Sequence, residues 1–469
     1  MAREITEEER QLVQELVSRA RAAMRAIEHY DQSQVDRLCQ AIGWATANEE
    51  TFKRLSDMGV DESGLGDRQG RPNKRFKIMG ILRDALRQKS VGVIEELPEK
   101  GIVKYAKPAG VIASVVPVTN AGLTEPGNSI YALKCSDAII FSPHPASKKT
   151  SMETVRIMRD ALQQCGAPED LIQGIEKPSI PLAHLLMSSC DLTIATGGPA
   201  MVKAAYSSGK PAYGVGAGNA TMVIDETANI EEAARNTRLS KTSDNGSGCS
   251  ADGNLIVEET IYEAFLNQLQ KEGGYLVSEQ EKGKLQSAMW DAEGHRTSAT
   301  IARPASTIAE LAGFSIPSGK TFLIVKEDHI GREYLFSSEK LSPVLSIFHY
   351  SGFDNALSMV EQIYEVGGKG HSCGIYSFDD EHVHRLAMMA PVSRIMVRQP
   401  QSKANAGAFN NGMPMTSSMG CGTWGGNITS ENIALKHYMN VTWVSRPIAE
   451  DRPSEQELFG EFYRAKTFA

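Results

Sequence analysis

Near the start of the chain, apolar residues recur at helical spacing: Leu12, Val13, Leu16, Val17 and Ala20. That spacing gathers them on one face of a helix. Thr6 and Glu9 precede them at capping-box spacing, so a hydroxyl and a carboxylate can satisfy the free amides of a helix start. The pattern predicts a helix docked on the protein surface; a helix that binds a partner or an encapsulating shell is the alternative.

From Val91 the pattern changes. VGVIEELPEKGIVKYAKPAGVIASVVP interrupts short apolar runs with Pro and Gly, which predicts strands, with a hairpin turn from Pro98 to Gly101. Further on, AIIFSPHP, LTIATGG, TMVID and LIVEE are short apolar strand cores. Helical stretches such as SMETVRIMRDALQQCG and PAMVKAAYSSG lie between several of them. A second series follows in KTFLIVKE, LSPVLSIFHY, CGIYSF and RIMVRQ. Strand alternating with helix predicts a doubly wound α/β architecture, and two such domains in series fit 469 residues. The chain has no internal repeat and no low-complexity tract. Its tail, from about Pro447, is polar and is expected to pack as a peripheral arm.

Composition narrows the function classes. Hydrophobic residues make up 41% and charged residues 23%, as in an ordinary globular enzyme. Net charge is −8, from 49 Lys and Arg against 57 Asp and Glu, which argues against a whole-chain nucleic-acid surface. The seven cysteines form no CxxC pair, so no metal is expected and a reducing compartment is the better reading. Residues 1–30 carry many charges and no apolar signal core, and no apolar run approaches the roughly 20 residues of a membrane span. A cytoplasmic protein is expected.

Three cysteines stand in contexts that chemistry can use. Cys249 lies in KTSDNGSGCSADGNLIVEE, among small residues just before a strand. Such a loop lets a thiol face a cavity and leaves backbone N–H groups for an oxyanion. Cys373 follows a glycine-rich loop two residues after His371, and Cys421 lies among glycines. A buried inert thiol is the default for each. ATGGP (195–199) and GVGAGNA (214–220) would let a backbone approach a nucleotide, but each is as readily a turn. No Walker A motif is present.

Seven ordered blocks resemble the CoA-acylating branch of the aldehyde dehydrogenase superfamily. They are PVTN (117–120), FSPHPASKKT (141–150), LTIATGGPAMVKAAYSSGKPAYGVGAGN (192–219), SDNGSGCSADGNLIV (243–257), EKLSPV (339–344), GGKGHSCGIY (367–376) and MGCGTWGGNITSEN (419–432). The likeness runs from about residue 10 to residue 445. It is similar to the aldehyde-oxidising half of bifunctional aldehyde-alcohol dehydrogenases, and closer to acylating succinate-semialdehyde and sulfoacetaldehyde dehydrogenases. The resemblance implies a Rossmann-type cofactor domain over 1–225 with a β-hairpin oligomerisation arm at 91–107. A catalytic domain over 226–435 would carry Cys249, and 436–469 would return as a C-terminal arm. A homodimer or homotetramer is implied.

It also implies roles. Cys249 is the nucleophile, and its own N–H with Asn120 or Thr119 holds the oxyanion. Thr196, Gly197 and Gly198 lie beside the cofactor; His144, Pro145, Ser147 and Lys148 line its adenosine ribose; Glu339 holds the nicotinamide ribose. His371 is a candidate base for the CoA thiol, with a loop-ordering histidine as the other reading. The cofactor is NADP or NAD. Ser147, followed by Lys148 and Lys149, stands where NAD-preferring relatives often place a carboxylate, so NADP is expected to be used at least as well as NAD.

One departure carries mechanism. Hydrolytic members have a glutamate-leucine-glycine-glycine motif whose glutamate activates water; here Val215-Gly216-Ala217-Gly218 stands in its place. A thioester on Cys249 then lacks base help for water that is worth about a hundredfold or more. A CoA thiolate needs no such help. In VRQPQSKANAGAFNNG (397–412), Arg398, Lys403 and Asn405 are candidate ligands for an anionic aldehyde, sulfoacetaldehyde first and succinate semialdehyde second. Acetaldehyde or propionaldehyde is the neutral alternative. A hydrolytic dehydrogenase and an inactive nucleotide-binding protein are the competing classes.

Overall fold

The computed structural model describes residues 3–464. Among these residues, three sheets organise the chain. The first has five parallel strands in the order Ile172–Gly174, Ala138–Ser142, Val111–Val115, Leu192–Thr196 and Ala212–Val215. The chain starts it in the centre, at Val111–Val115, and builds to one edge. It then crosses to the other side through Leu192–Thr196. That reversal opens a crevice at the carboxyl ends of the two central strands, where α/β sheets bind their ligands.

The second sheet has seven parallel strands, in the order Gly274–Leu276, Phe322–Lys326, Val344–Tyr350, Asn254–Glu258, Thr221–Ile224, Cys373–Tyr376 and Ile395–Val397. Val111–Val115, Ala138–Ser142 and Asn254–Glu258 are buried at every position. Helices cover both faces, so these strands read as continuous apolar runs rather than alternating ones. This is why the apolar runs predicted strands correctly. The strands Ile172–Gly174, Ala212–Val215 and Gly274–Leu276 have three or four residues each and are not among the apolar runs named above.

The first helix, Glu7–Ala26, begins with the expected capping box: Thr6 Oγ1 accepts from Glu9 N–H, and Glu9 accepts from Thr6 N–H. It buries Val13, Leu16, Ala20 and Ala23, and leaves Leu12 exposed. The helix is therefore docked by one face. The expected hairpin pairs Val93–Leu97 with Ile102–Pro108, and Gly101 turns at φ +62°. Met439–Ser445 adds a third antiparallel strand to it. Trp443 of that strand is exposed and lies under the Lys104 ammonium, 4.2 Å from its ring centre.

The chain changes sheets at residues 216–220, because Thr221–Ile224 already pairs within the second sheet. The expected boundary at residue 225 falls after that strand. Met415, Met419, Ile433 and Leu435 belong to the core of the first sheet, so the end of the segment assigned to the catalytic domain packs there. No helix among the described residues is long and apolar enough to cross a membrane.

Candidate active site

The carboxyl ends of the first sheet face the amino ends of the second across a cavity of about 1210 Å³. From the first sheet come Val115–Asn120, Ser142–Pro145, Thr196–Pro199 and Val215–Ala217. From the second come the loops that enter its central strands, bearing Cys249 and Glu339. One topology therefore brings a nucleotide crevice and a thiol to the same space.

Cys249 sits in the loop before the strand Asn254–Glu258. Below it, Asp252 is fully buried and accepts from Gln401 Nε2 at 2.8 Å, which anchors the loop. Asp244 and Asn245 adopt left-handed φ of 50° and 53°, a conformation these two residue types tolerate. Gly218 packs directly on Cys249: a Cβ there would stand 2.0 Å from the Cys249 carbonyl oxygen. The Cys249 Sγ lies 3.1 Å from His371 Nε2, and His371 Nδ1 lies 2.9 Å from Ser372 Oγ. The His371 carbonyl accepts from the buried Arg394 guanidinium at 2.9 Å, which fixes the loop behind the ring.

Burial pushes the Cys249 thiol up to about 12, reinforced by Glu339 and Cys421 and opposed by Arg394. Burial, with Arg394, pushes His371 down to about 3. The resting pair is a neutral thiol and a neutral imidazole, so thiolate forms as the thiol attacks. Glu339 is raised to about 7 by burial, against the Gly218 N–H that donates to its Oε1 at 3.0 Å and against Lys241, Arg296 and Lys340. Cys373 begins a strand and Cys421 lies in the core, both fully buried; neither lines the cavity.

Thr119 and Asn120 close the opposite wall in the turn Val118–Asn120. The Thr119 carbonyl accepts from Arg71 Nη2 at 3.2 Å, and Asn120 Oδ1 accepts from Lys74 Nζ at 2.9 Å. Arg71 and Lys74 both hold Asp244, at 3.0 and 2.6 Å. Burial opposes the Asp244 charge, but Lys74 and Arg71 outweigh it and hold the carboxyl well below the usual carboxylate range. Sequence reasoning missed Arg71, Lys74 and Asp244. Asp244 stands five residues before the thiol, yet its partners are about 170 residues away, with no local signal.

On the cofactor side, His144, Pro145, Thr196, Gly197 and Gly198 line the cavity with Glu339. Gly198 caps the helix Pro199–Tyr206, and a Cβ there would meet nothing within 4 Å. These residues fit a dinucleotide, with open backbone at a helix start on the crevice. Ser147 and Lys148 do not line the cavity, and Ser147 is buried. A carboxylate is present nearby after all: Glu62 accepts from the N–H groups of Lys149 and Thr150, both at 2.8 Å. It comes from the helix Glu49–Ser63, far away in sequence.

The expected aldehyde ligands separate. Lys403 lines the cavity. Arg398 does not: it follows the edge strand Ile395–Val397 at φ +52°, which turns its guanidinium onto the ring of Phe378, 4.0 Å away. Asn405 is fully buried, its carbonyl held by Asn432 at 3.0 Å, and it does not reach the cavity. Lys77 is a further cation there. Its ammonium lines the cavity and donates to the carbonyls of Ala406 and Gly407 at 2.8 and 2.5 Å. Burial lowers it to about 8, opposed by Asp84. Among the described residues, no salt bridge engages Lys77 or Lys403.

A parallel cofactor sheet, a second parallel sheet carrying a thiol into its crevice, and a strand-paired hairpin arm together define a class, and the family model of the aldehyde dehydrogenase family matches residues 2–307. The chain belongs to that family. Over 96% of its length it is 44% identical to the sulfoacetaldehyde dehydrogenase of an Acholeplasma species, covering 93% of that protein. It is 40% identical to the acylating sulfoacetaldehyde dehydrogenase of Bilophila wadsworthia, covering 96% of this chain and 98% of the relative. The crystal structure of an acetylating aldehyde dehydrogenase from Geobacillus thermoglucosidasius superposes with a TM-score of 0.92 at 35% identity, covering 97% of this chain and all of that one. These likenesses are to the acylating branch of the family, the branch that the sequence blocks resembled.

Proposed function

We propose that the protein oxidises a small anionic aldehyde, sulfoacetaldehyde in the first place, to its acyl-CoA with NAD(P) as the hydride acceptor. The observation that carries the reading is the contact of the Cys249 thiol with the His371 imidazole, 3.1 Å apart, beside a stretch 215–218 that bears no carboxylate. The relatives' names support the substrate, as do Lys77 and Lys403 at the cavity wall. Succinate semialdehyde is the next candidate.

Cys249 Sγ forms a bond to the aldehyde carbon, and its proton passes to His371 Nε2. For this, His371 Nδ1 keeps its hydrogen toward Ser372 Oγ, which leaves Nε2 as the acceptor. The oxyanion is held by the Cys249 N–H, which makes no hydrogen bond among the described residues, and by Asn120 Nδ2. Asn120 is preferred to Thr119 because its Oδ1 faces Lys74, so its NH2 group points the other way. Bound NAD(P) would supply the hydride acceptor, and loss of hydride would leave the acyl group on Cys249 as a thioester. Thr196–Gly198 would bind its phosphates at the helix start, and Glu339 its nicotinamide ribose.

His371 gives up the Cys249 proton to solvent, one proton for each hydride removed, and can then take the proton of the CoA thiol. The new sulfur–carbon bond forms at the acyl carbon, the Cys249 thiolate leaves, and the proton returns to it from His371. Water is the weaker nucleophile and finds no carboxylate at 215–218 to activate it, so acyl transfer goes to the thiol. The exposed apolar residues of Met439–Ser445 suit a homodimer or homotetramer built on the arm.

The test is turnover of sulfoacetaldehyde, succinate semialdehyde and propionaldehyde with NAD or NADP, with CoA present or omitted. The two anions are expected to give the higher kcat/KM, product is expected to require CoA, and Cys249→Ala is expected to abolish turnover. Free acid formed at an undiminished rate without CoA would overturn the acylating reading. Propionaldehyde as the best substrate would overturn the anionic one alone.

A further inference from the structure

We propose that Lys74 is a positioning residue for the oxyanion site: its ammonium, anchored on Asp244, holds the Asn120 amide with Nδ2 turned into the cavity. The inference rests on the reading of Asn120 as an oxyanion donor. An ammonium has three donors and no acceptor, so the Asn120 atom 2.9 Å from Lys74 Nζ is the amide oxygen. Turned by 180°, the amide would set its NH2 against the ammonium, donor against donor. Lys74 therefore selects the amide orientation that leaves Nδ2 turned away from the ammonium, on a residue that lines the cavity.

The ammonium is itself located. Asp244 accepts from it at 2.6 Å, and Asp244 is fixed by Arg71 at 3.0 Å, by Ser247 Oγ at 2.9 Å and by the Asp67 N–H at 2.8 Å. Arg71 also holds the Thr119 carbonyl, so the backbone and the side chain of the turn are fixed from one cluster. A donor held in place beforehand acts on the transition state more than on the bound aldehyde. The Asp244 loop does not depend on Lys74, because Arg71, Ser247 and Asp67 still hold it.

The experiment compares wild type, Lys74→Met, Lys74→Arg, Asn120→Ala and the Lys74→Met/Asn120→Ala double variant. Each is assayed for kcat and KM with sulfoacetaldehyde and with neutral propionaldehyde. Asn120→Ala should lower kcat about 100-fold, and Lys74→Met about tenfold on both aldehydes, with KM moved less. The double variant should be no worse than Asn120→Ala, because Lys74 acts through that residue. Lys74→Arg should recover part of the loss. The alkylation rate of Cys249 should be the same in Lys74→Met as in wild type, which reports an intact thiol loop.

Lys74→Met with unchanged kcat overturns the proposal. So does a change confined to the KM of sulfoacetaldehyde, which would make Lys74 a ligand of the anionic tail. Losses that multiply in the double variant, or slowed alkylation in Lys74→Met, overturn it as well. Full activity in Asn120→Ala instead removes the oxyanion reading on which the proposal stands.

Discussion

Gly218→Ala tests how tightly the nucleophile loop is seated. The added Cβ would lie 2.0 Å from the Cys249 carbonyl oxygen, 3.0 Å from its carbonyl carbon and 3.2 Å from the His371 ring. The first two are backbone atoms and cannot swing aside. A carbon–oxygen contact relaxes at about 3.3 Å, so the Cys249 backbone must retreat by on the order of 1 Å. That shift is enough to break the 3.1 Å contact between Sγ and Nε2. Misplacement of a reacting atom by about 1 Å costs about 100-fold in rate, and overpacking of this kind destabilises by about 1–3 kcal/mol. The assays are kcat with sulfoacetaldehyde, the Tm, and the rate of Cys249 alkylation. Gly283→Ala is the control: it lies on the exposed face of the helix Glu279–Met289, and its Cβ would meet nothing within 4 Å. It should stabilise by about 0.5–1 kcal/mol and leave kcat as it was. Wild-type kcat and Tm in Gly218→Ala would refute the packing argument.

Two further perturbations read the charges. With the thiol at about 12, alkylation of Cys249 in the ligand-free protein should rise about tenfold per pH unit between neutrality and pH 9; a plateau near pH 7 would contradict the neutral pair. The folded His371 value of about 3 lies below its ordinary 6.5, so its contribution to stability is present above pH 6.5 and is lost as pH falls toward 3. His371→Gln should therefore flatten the acid limb of urea-monitored stability, by up to about 1.4 kcal/mol per pH unit, and an unchanged slope would exclude that coupling. Glu62→Gln removes the carboxylate at the start of the helix Lys148–Gln164 and leaves Lys148 and Lys149 unopposed. The ratio of kcat/KM for NADP to that for NAD should rise about fivefold, and a constant ratio would show that Glu62 does not sense the 2′-phosphate.

The sequence by itself determined most of the elements and singled out Cys249 as the candidate nucleophile. Apolar runs such as 138–142 and 254–258 announce strands because a sheet covered on both faces demands them. The small-residue loop and its ordered blocks single out Cys249, since those residues must fit under Gly218 and against the second sheet. The partners of that thiol were decided only by the tertiary structure. His371 lies 122 residues from Cys249, and Lys74 lies 170 residues from Asp244. No local periodicity encodes such a distance: the first contact exists only once strands distant in sequence assemble in the second sheet, and the second only once the two sheets meet end to end. The same cause moved the aldehyde ligands. Arg398 and Lys403 are five residues apart, yet a left-handed turn after an edge strand sends Arg398 to Phe378 while Lys403 faces the cavity. A neighbourhood in sequence names a loop, and the backbone path around the strand end chooses which of its charges faces the cavity.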